Sequence, residues 1–228
     1  MSHLINIFLE PGKVFAELKE KPTFWLPLLL MTVLTVAMTL MYFGKVDSDW
    51  LMDQQLAASD ADMSAEKIAE AKKVMPSAKT MGYIGAPFAI IGIAVVSSLM
   101  ALYYMLAGKI TGNRTSFRHG LSLTAWASVP SLLGMVVAII GIFSMTPQTT
   151  LDSLMLTNVD PLLVQLPVDH TWSSAAKHFS LLTFWSIFLT ALGWRVWGKT
   201  SWTQAFTVAT IPSLLTFGVI ALFALMKS

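Results

Sequence analysis

Long apolar runs separated by charged connections set the pattern of this chain. Phe24–Phe43 and Met81–Ala107 contain no charged side chain, and neither do Gly120–Met145 or Phe179–Trp194; Gln204–Met226 is a fifth such run. Roughly 20 apolar residues in a helix cross the hydrocarbon of a bilayer. The pattern therefore predicts an all-α polytopic membrane protein, a bundle of five transmembrane helices at about 24–43, 81–107, 120–145, 179–197 and 204–226. Together they make one membrane domain, 24–228, preceded by an N-terminal segment, 1–23, of different character. There Leu4, Ile5, Phe8, Val14, Phe15 and Leu18 alternate with Lys13, Lys19, Glu10, Glu17 and Glu20, which predicts an amphipathic stretch lying in the headgroup region. With no leading apolar core, it is not expected to be a cleavable signal.

Two longer connections, 44–80 and 146–178, carry structure of their own. Ala61–Ala78 is rich in Ala, Glu and Lys, with Ile68, Ala71 and Met75 on one helical face, so a surface helix ended by Pro76 is expected. Thr146–Lys177 scatters leucines among polar residues and is broken at Asp160-Pro161 and Pro167. It is too apolar for free water and too broken to span, so it reads as an interfacial or partly re-entrant cap.

Composition sharpens the class. Charged residues are 12% of 228 and apolar residues 55%, against roughly 25% charged in a soluble domain. That excludes a soluble enzyme, a disordered chain and a disulfide-stapled secreted domain. A net charge of +2 offers no broad surface to nucleic acid, and the absence of cysteine removes thiolate metal sites and thiol chemistry. Seven of the eight tryptophans (25, 50, 172, 185, 194, 197 and 202) mostly mark span ends, as an aromatic belt does.

Charge also orients the bundle. The N-terminal segment and the turns holding Lys109, Arg114, Arg118, Arg195 and Lys199 carry eight basic and three acidic residues; the other side carries seven and ten. Short basic turns face the cytoplasm, which predicts an N-terminus inside and a C-terminus outside.

Little in the spans carries chemistry. No intramembrane carboxylate suggests a proton relay, and no HExxH, GxSxG or phosphate loop is present. Asp169, His170 and His178 lack diagnostic metal-ligand spacing and read as interfacial polar residues. No catalytic residue, cofactor or metal is expected. The polar side chains that remain are hydroxyls in stripes: Thr32, Thr35 and Thr39; Thr183, Ser186 and Thr190; Thr207, Thr210, Ser213 and Thr216. They either pack helices or line a path for solute or lipid, and packing is the more ordinary use.

One pattern occurs twice. Thr115-Ser116-Phe117 opens the third span and Thr200-Ser201-Trp202 the fifth, each after a basic residue and close to a glycine, Gly112 or Gly198. Further in, Val129-Pro130-Ser131-Leu132-Leu133 parallels Ile211-Pro212-Ser213-Leu214-Leu215. Duplication of a helical hairpin, Met81–Met145 and Phe179–Met226, explains this better than chance. Each proline frees the carbonyl four residues upstream, at Trp126 and Val208, and paired interruptions in two halves point to a transport site where one exists.

Pro11 with Phe15 and Leu18, then Pro22, Trp25 and Pro27, followed by the glycine–basic–Ser/Thr–aromatic turns and proline-broken helices, resembles the Yip-domain family of membrane proteins. The chain looks like a compact bacterial-type member. The resemblance implies five spans with a cytosolic N-terminus and a role in organising membranes or binding partners. Eukaryotic members are implied to bind prenylated Rab-type GTPases. Their Asp-Leu-Tyr-Gly-Pro string is absent here, with Gly82-Tyr83-Ile84-Gly85-Ala86-Pro87 nearest to it, so GTPase binding is not carried over. The expectation is a non-enzymatic scaffold contacting lipids and other membrane proteins through its N-terminal amphipathic segment and the basic turns with Lys109, Arg114, Arg118, Arg195 and Lys199. The alternative is a small transporter or lipid-binding protein, whose cavity would use Pro130, Ser131, Pro212, Ser213, Thr183, Ser186 and Thr190.

Overall fold

The computed structural model describes residues 2–58, 65–164 and 172–227. Its elements in chain order are α1 (Ser2–Leu9), α2 (Pro11–Glu20), α3 (Trp25–Lys45), α4 (Ser48–Ala58), α5 (Ala65–Val74), α6 (Ala78–Thr111), α7 (Phe117–Ala127), α8 (Val129–Ser144), α9 (Leu151–Leu154), α10 (Val159–Leu162), α11 (Ser173–His178), α12 (Leu182–Gly198) and α13 (Trp202–Lys227). Among the described residues there is no strand, only an isolated bridge between Asn158 and Ser180. Three helices are long and apolar enough to cross a membrane: α3, α6 and Trp202–Met226 of α13. The pair α7 and α8, bent by 42° at Ser128, passes the same test of length and composition when the two are taken as one span. In place of the expected span at 179–197 stands the 17-residue α12, about 25 Å long and short of a ~30 Å hydrocarbon layer.

The bundle is apolar outside as well as inside. Along α6 the exposed side chains include Tyr83, Phe88, Ile91, Val95, Leu99, Leu106 and Ile110, and along α13 Leu214, Val219, Leu222 and Phe223. Such a surface is stable against lipid and not against water. Inside lie two clusters. One, at the end bearing the basic turns, gathers Phe15, Leu123, Trp126, Leu189, Trp194 and Trp197. The other, at the opposite end, gathers Met38, Tyr42, Ala138, Ile142 and Leu154.

The N-terminal segment departs from the expectation of an apolar stripe turned to headgroups. Pro11 starts α2, and the i, i+1, i+4 set Val14, Phe15 and Leu18 is buried in the protein, with Ile7 of α1. Phe15 meets Trp197 edge-on at 6.3 Å between ring centres, and Trp197 Nε1 donates to the Phe15 carbonyl at 2.6 Å. Lys19 Nζ donates to the Trp197 carbonyl at 2.7 Å. Two further donors, Ser122 Oγ and Trp126 Nε1, reach the Thr23 carbonyl at 2.8 Å each. Protein core outcompetes headgroups here because α12 supplies an aromatic wall and a donor to the Phe15 carbonyl, while α7 supplies donors to the Thr23 carbonyl just after α2. Ile5 (63% exposed) and Leu9 (72%) remain free to meet lipid.

The connection after α8 folds back along it. Leu154 lies against Gly141, where an added Cβ would stand 3.1 Å from its side chain, and Thr157 lies against Gly134, 2.7 Å from such a Cβ. Gly134 is ten residues from the end of α8, about 15 Å along the helix, so the segment dips well below the cap end. Val159 N–H to the Phe179 carbonyl (2.8 Å) and Leu181 N–H to that of Thr157 (2.9 Å) tie it to the start of α12. That is why α12 starts late: the cap fills the space its missing turns would occupy. In the other long connection α5 ends before Pro76, and Lys72 pairs with Asp53 of α4. Residues 61–64 of the expected surface helix, and Asp169 and His170, lie outside the described residues.

Candidate functional site

Two features collect most of the residues singled out by sequence. The first is the basic end. α6 stops where Gly112 takes a left-handed φ of +75°, a helix stop that favours glycine. Ser116 then caps α7, accepting from His119 N–H at 3.4 Å. In the second copy of the motif, Ser201 accepts from Gln204 N–H at 3.2 Å. The equivalent left-handed residue there is Lys199 (φ +51°), not Gly198.

Gly198 has a different task. Its Cβ would stand 2.6 Å from Asn113 Nδ2, so the first turn lies directly on the second. Gly108 is likewise covered by the Asn113 carbonyl and Thr115. His119 completes the frame: its Nε2–H donates to the Lys19 carbonyl at 2.9 Å, which leaves Nδ1 to accept from Ser116 Oγ at 2.6 Å. Both motif threonines, Thr115 and Thr200, have buried hydroxyls with no partner, as does the Asn113 amide nitrogen.

On this frame stand Lys109, Arg114, Arg118, Arg195 and Lys199, all exposed. The ion pairs among the described residues (His3–Glu17, Lys13–Glu10, Lys72–Asp53 and Lys177–Asp152) use none of them. Arg195 is occupied otherwise, with its guanidinium carbon 4.6 Å from the centre of the Trp202 ring. Trp202 in turn stacks on Phe188 and Phe206.

The second feature is a cavity of about 160 Å³ between α6, α7, α12 and α13. Thr183, Ser186, Thr190, Pro212 and Ser213 all line it, together with Tyr104, which sequence reasoning did not select. Pro130 and Ser131 do not line it. Pro130 is buried at the first turn of α8, after the break at Ser128, whereas Pro212 sits inside the continuous α13. The matched prolines thus occupy different settings.

The carbonyls they free are both taken by protein groups. Ser128 N–H reaches the Trp126 carbonyl, and Tyr103 Oη donates to Val208 O at 2.8 Å. Tyr103 was missed as well; an aromatic hydroxyl inside an apolar run was the available signal, since it must find an acceptor. The hydroxyl stripes mostly bond to their own helix. Thr32, Thr39, Thr190, Thr207 and Thr216 each donate to the carbonyl four residues back. Thr35 crosses to Met135 Sδ at 3.8 Å, and the buried Ser186 hydroxyl has no partner.

Comparison with known proteins places the whole chain. The Yip1 domain family model matches residues 5–224. A curated relative, membrane protein YknW of Bacillus subtilis (strain 168), is 28% identical over 233 aligned residues, covering 97% of this chain and 88% of the relative. No solved structure matches.

Proposed function

Because this chain belongs to the Yip1 domain family of membrane proteins, we propose that it is a non-enzymatic five-span scaffold of the bacterial inner membrane, holding partners or organising lipid through its basic end. One observation carries the reading: Lys109, Arg114, Arg118 and Lys199 are exposed cations, free of ion pairs among the described residues, on two turns locked together through Gly198 and Gly108. Cations held on a fixed frame attract anionic headgroups or an acidic partner surface without first being ordered. In this reading α12 is the fourth span, completed at the cap end by the folded-back connection. The basic end is cytoplasmic by the distribution of Lys and Arg, with the N-terminus inside and the C-terminus outside.

The alternative, a transporter, draws less support. Its cavity of about 160 Å³ is below the roughly 300–1,000 Å³ of small-molecule sites. The carbonyls that a solute would use are already bonded to Ser128 and Tyr103. No GTPase is assigned as a partner.

Photocrosslinkers replacing Lys109 or Lys199 in native membranes should give discrete adducts. Reversing Arg114 and Arg118 to glutamate should lower their yield by about tenfold, as loss of charge complementarity does, at unchanged protein level. Ser186→Val, which fills the cavity, should leave the adducts intact. Adducts indifferent to charge reversal, or lost on filling the cavity, would defeat the scaffold. A separate expectation tests the topology: a reporter fused after Lys109 should read cytosolic, and one after Lys227 external. Both reporting one compartment would overturn five spans.

A further inference from the structure

Between the end of α6 and the start of α7 the basic end holds a recess of about 390 Å³. Its walls include Gly108, Lys109, Asn113, Arg114, Thr115 and Ser116, with no carboxylate among the lining residues. Thr115 is only 8% exposed, and its hydroxyl has no partner; neither has the buried Asn113 amide nitrogen. Burying such groups unpaired costs stability, and the cost is recovered when a ligand supplies acceptors. The Thr115 hydroxyl lies 3.0 Å from where a Cβ of Gly108 would stand, against another wall of the same recess. The last carbonyls of α6 and the Asn113 carbonyl are at the same place, so an anion here must be held by the cations beside them. Lys109 and Arg114 are those cations, and Ser116, the N-cap of α7, completes the wall.

A buried hydroxyl donor, an arginine and a lysine around a recess without any carboxylate suit an anion with several acceptor oxygens. Phosphate meets that description, and Arg114 can engage two of its oxygens at once. We propose that this recess binds a phosphate group, carried by the headgroup of an anionic lipid or free in solution. The site deepens the reading of the basic end as a binding surface and rests on that reading for the side of the membrane it faces.

The test uses the full chain in nanodiscs and in detergent. Phosphatidylglycerol, titrated against phosphatidylcholine and read as retained lipid by native mass spectrometry, probes the headgroup. Inorganic phosphate in phosphatidylcholine discs, read as a shift in unfolding midpoint, probes the free ion. Arg114→Gln and Thr115→Val should each weaken the effective probe by about tenfold, the scale of one charge-assisted hydrogen bond. Lys79→Gln, at the other end of α6, should not. Retention of phosphatidylglycerol alone identifies the lipid; stabilisation by inorganic phosphate that competes with it identifies the free ion.

Thr115→Val separates binding from packing. Removing an unpartnered hydroxyl should hold or raise the midpoint of the ligand-free protein while affinity falls, whereas a merely structural threonine would lower the midpoint and leave affinity alone. If neither probe binds, or Thr115→Val binds as the parent does, the site is refuted. Photocrosslinked adducts that still depend on Arg114 and Arg118 would then leave the scaffold standing.

Discussion

Phe15→Ala should destabilise the protein by about 3–5 kcal/mol, the range for truncating a buried aromatic residue, and should release its N-terminal helices. Phe15 is fully buried, packed on the Trp197 ring and over Gly193, whose Cβ would stand 2.8 Å from the Phe15 ring. Alanine leaves a void against two surfaces that cannot close it, because both belong to α12. Limited trypsin digestion in nanodiscs reads the outcome: cleavage after Lys13 and Lys19 should become fast, with the membrane domain intact. Ile5→Ala and Leu9→Ala, at exposed positions of α1, should change little. A segment held by lipid alone would show the reverse order, with Ile5 and Leu9 sensitive and Phe15 tolerant.

Gly120→Val should be the most damaging single change in the membrane domain. A Cβ at Gly120 would stand 2.5 Å from the Ala101 carbonyl oxygen and 2.7 Å from the Ala101 Cα. The obstacle is backbone, which no rotamer change moves, so α7 must separate from α6 along their shared face. Even Gly120→Ala should cost about 1–3 kcal/mol, as overpacking does, and valine more. Unfolding midpoints of purified protein check this against Gly92→Ala and Gly218→Ala. Those glycines have nothing within 4 Å, and alanine there should be neutral or gain up to about 1 kcal/mol of helix propensity.

What the sequence made legible was whatever repeats locally. Charge-free runs located α3, α6, the α7–α8 pair and α13 to within a few residues, and the doubled Thr-Ser–aromatic motif marked two turns that pack on each other. The cavity was legible through its hydroxyls, because Thr183, Ser186 and Thr190 share one face of one helix at i, i+3 and i+7. What escaped depends on partners far along the chain. The Val14–Phe15–Leu18 stripe looks the same whether headgroups or Trp197 cover it, and Trp197 is 182 residues from Phe15. Tyr103 was passed over because nothing near it in sequence shows that the Val208 carbonyl of α13 waits for it. The shortness of α12 was hidden for a similar reason: residues 179–181 are as acceptable in a helix as in the tie to Thr157 and Val159. Pro130 and Pro212 share a local string, yet only Pro130 stands at a break, while α13 runs on through Pro212.

The unequal helix lengths have a consequence for the bilayer itself. The exposed apolar face of α6 runs from Tyr83 to Ile110, about 40 Å along the axis, whereas α12 offers about 25 Å. No flat membrane of one thickness matches both. Lipid beside α6 must stretch, or the helix must lean, while beside α12 the folded-back connection makes up the missing turns. An upright α6 therefore favours the thicker parts of a membrane.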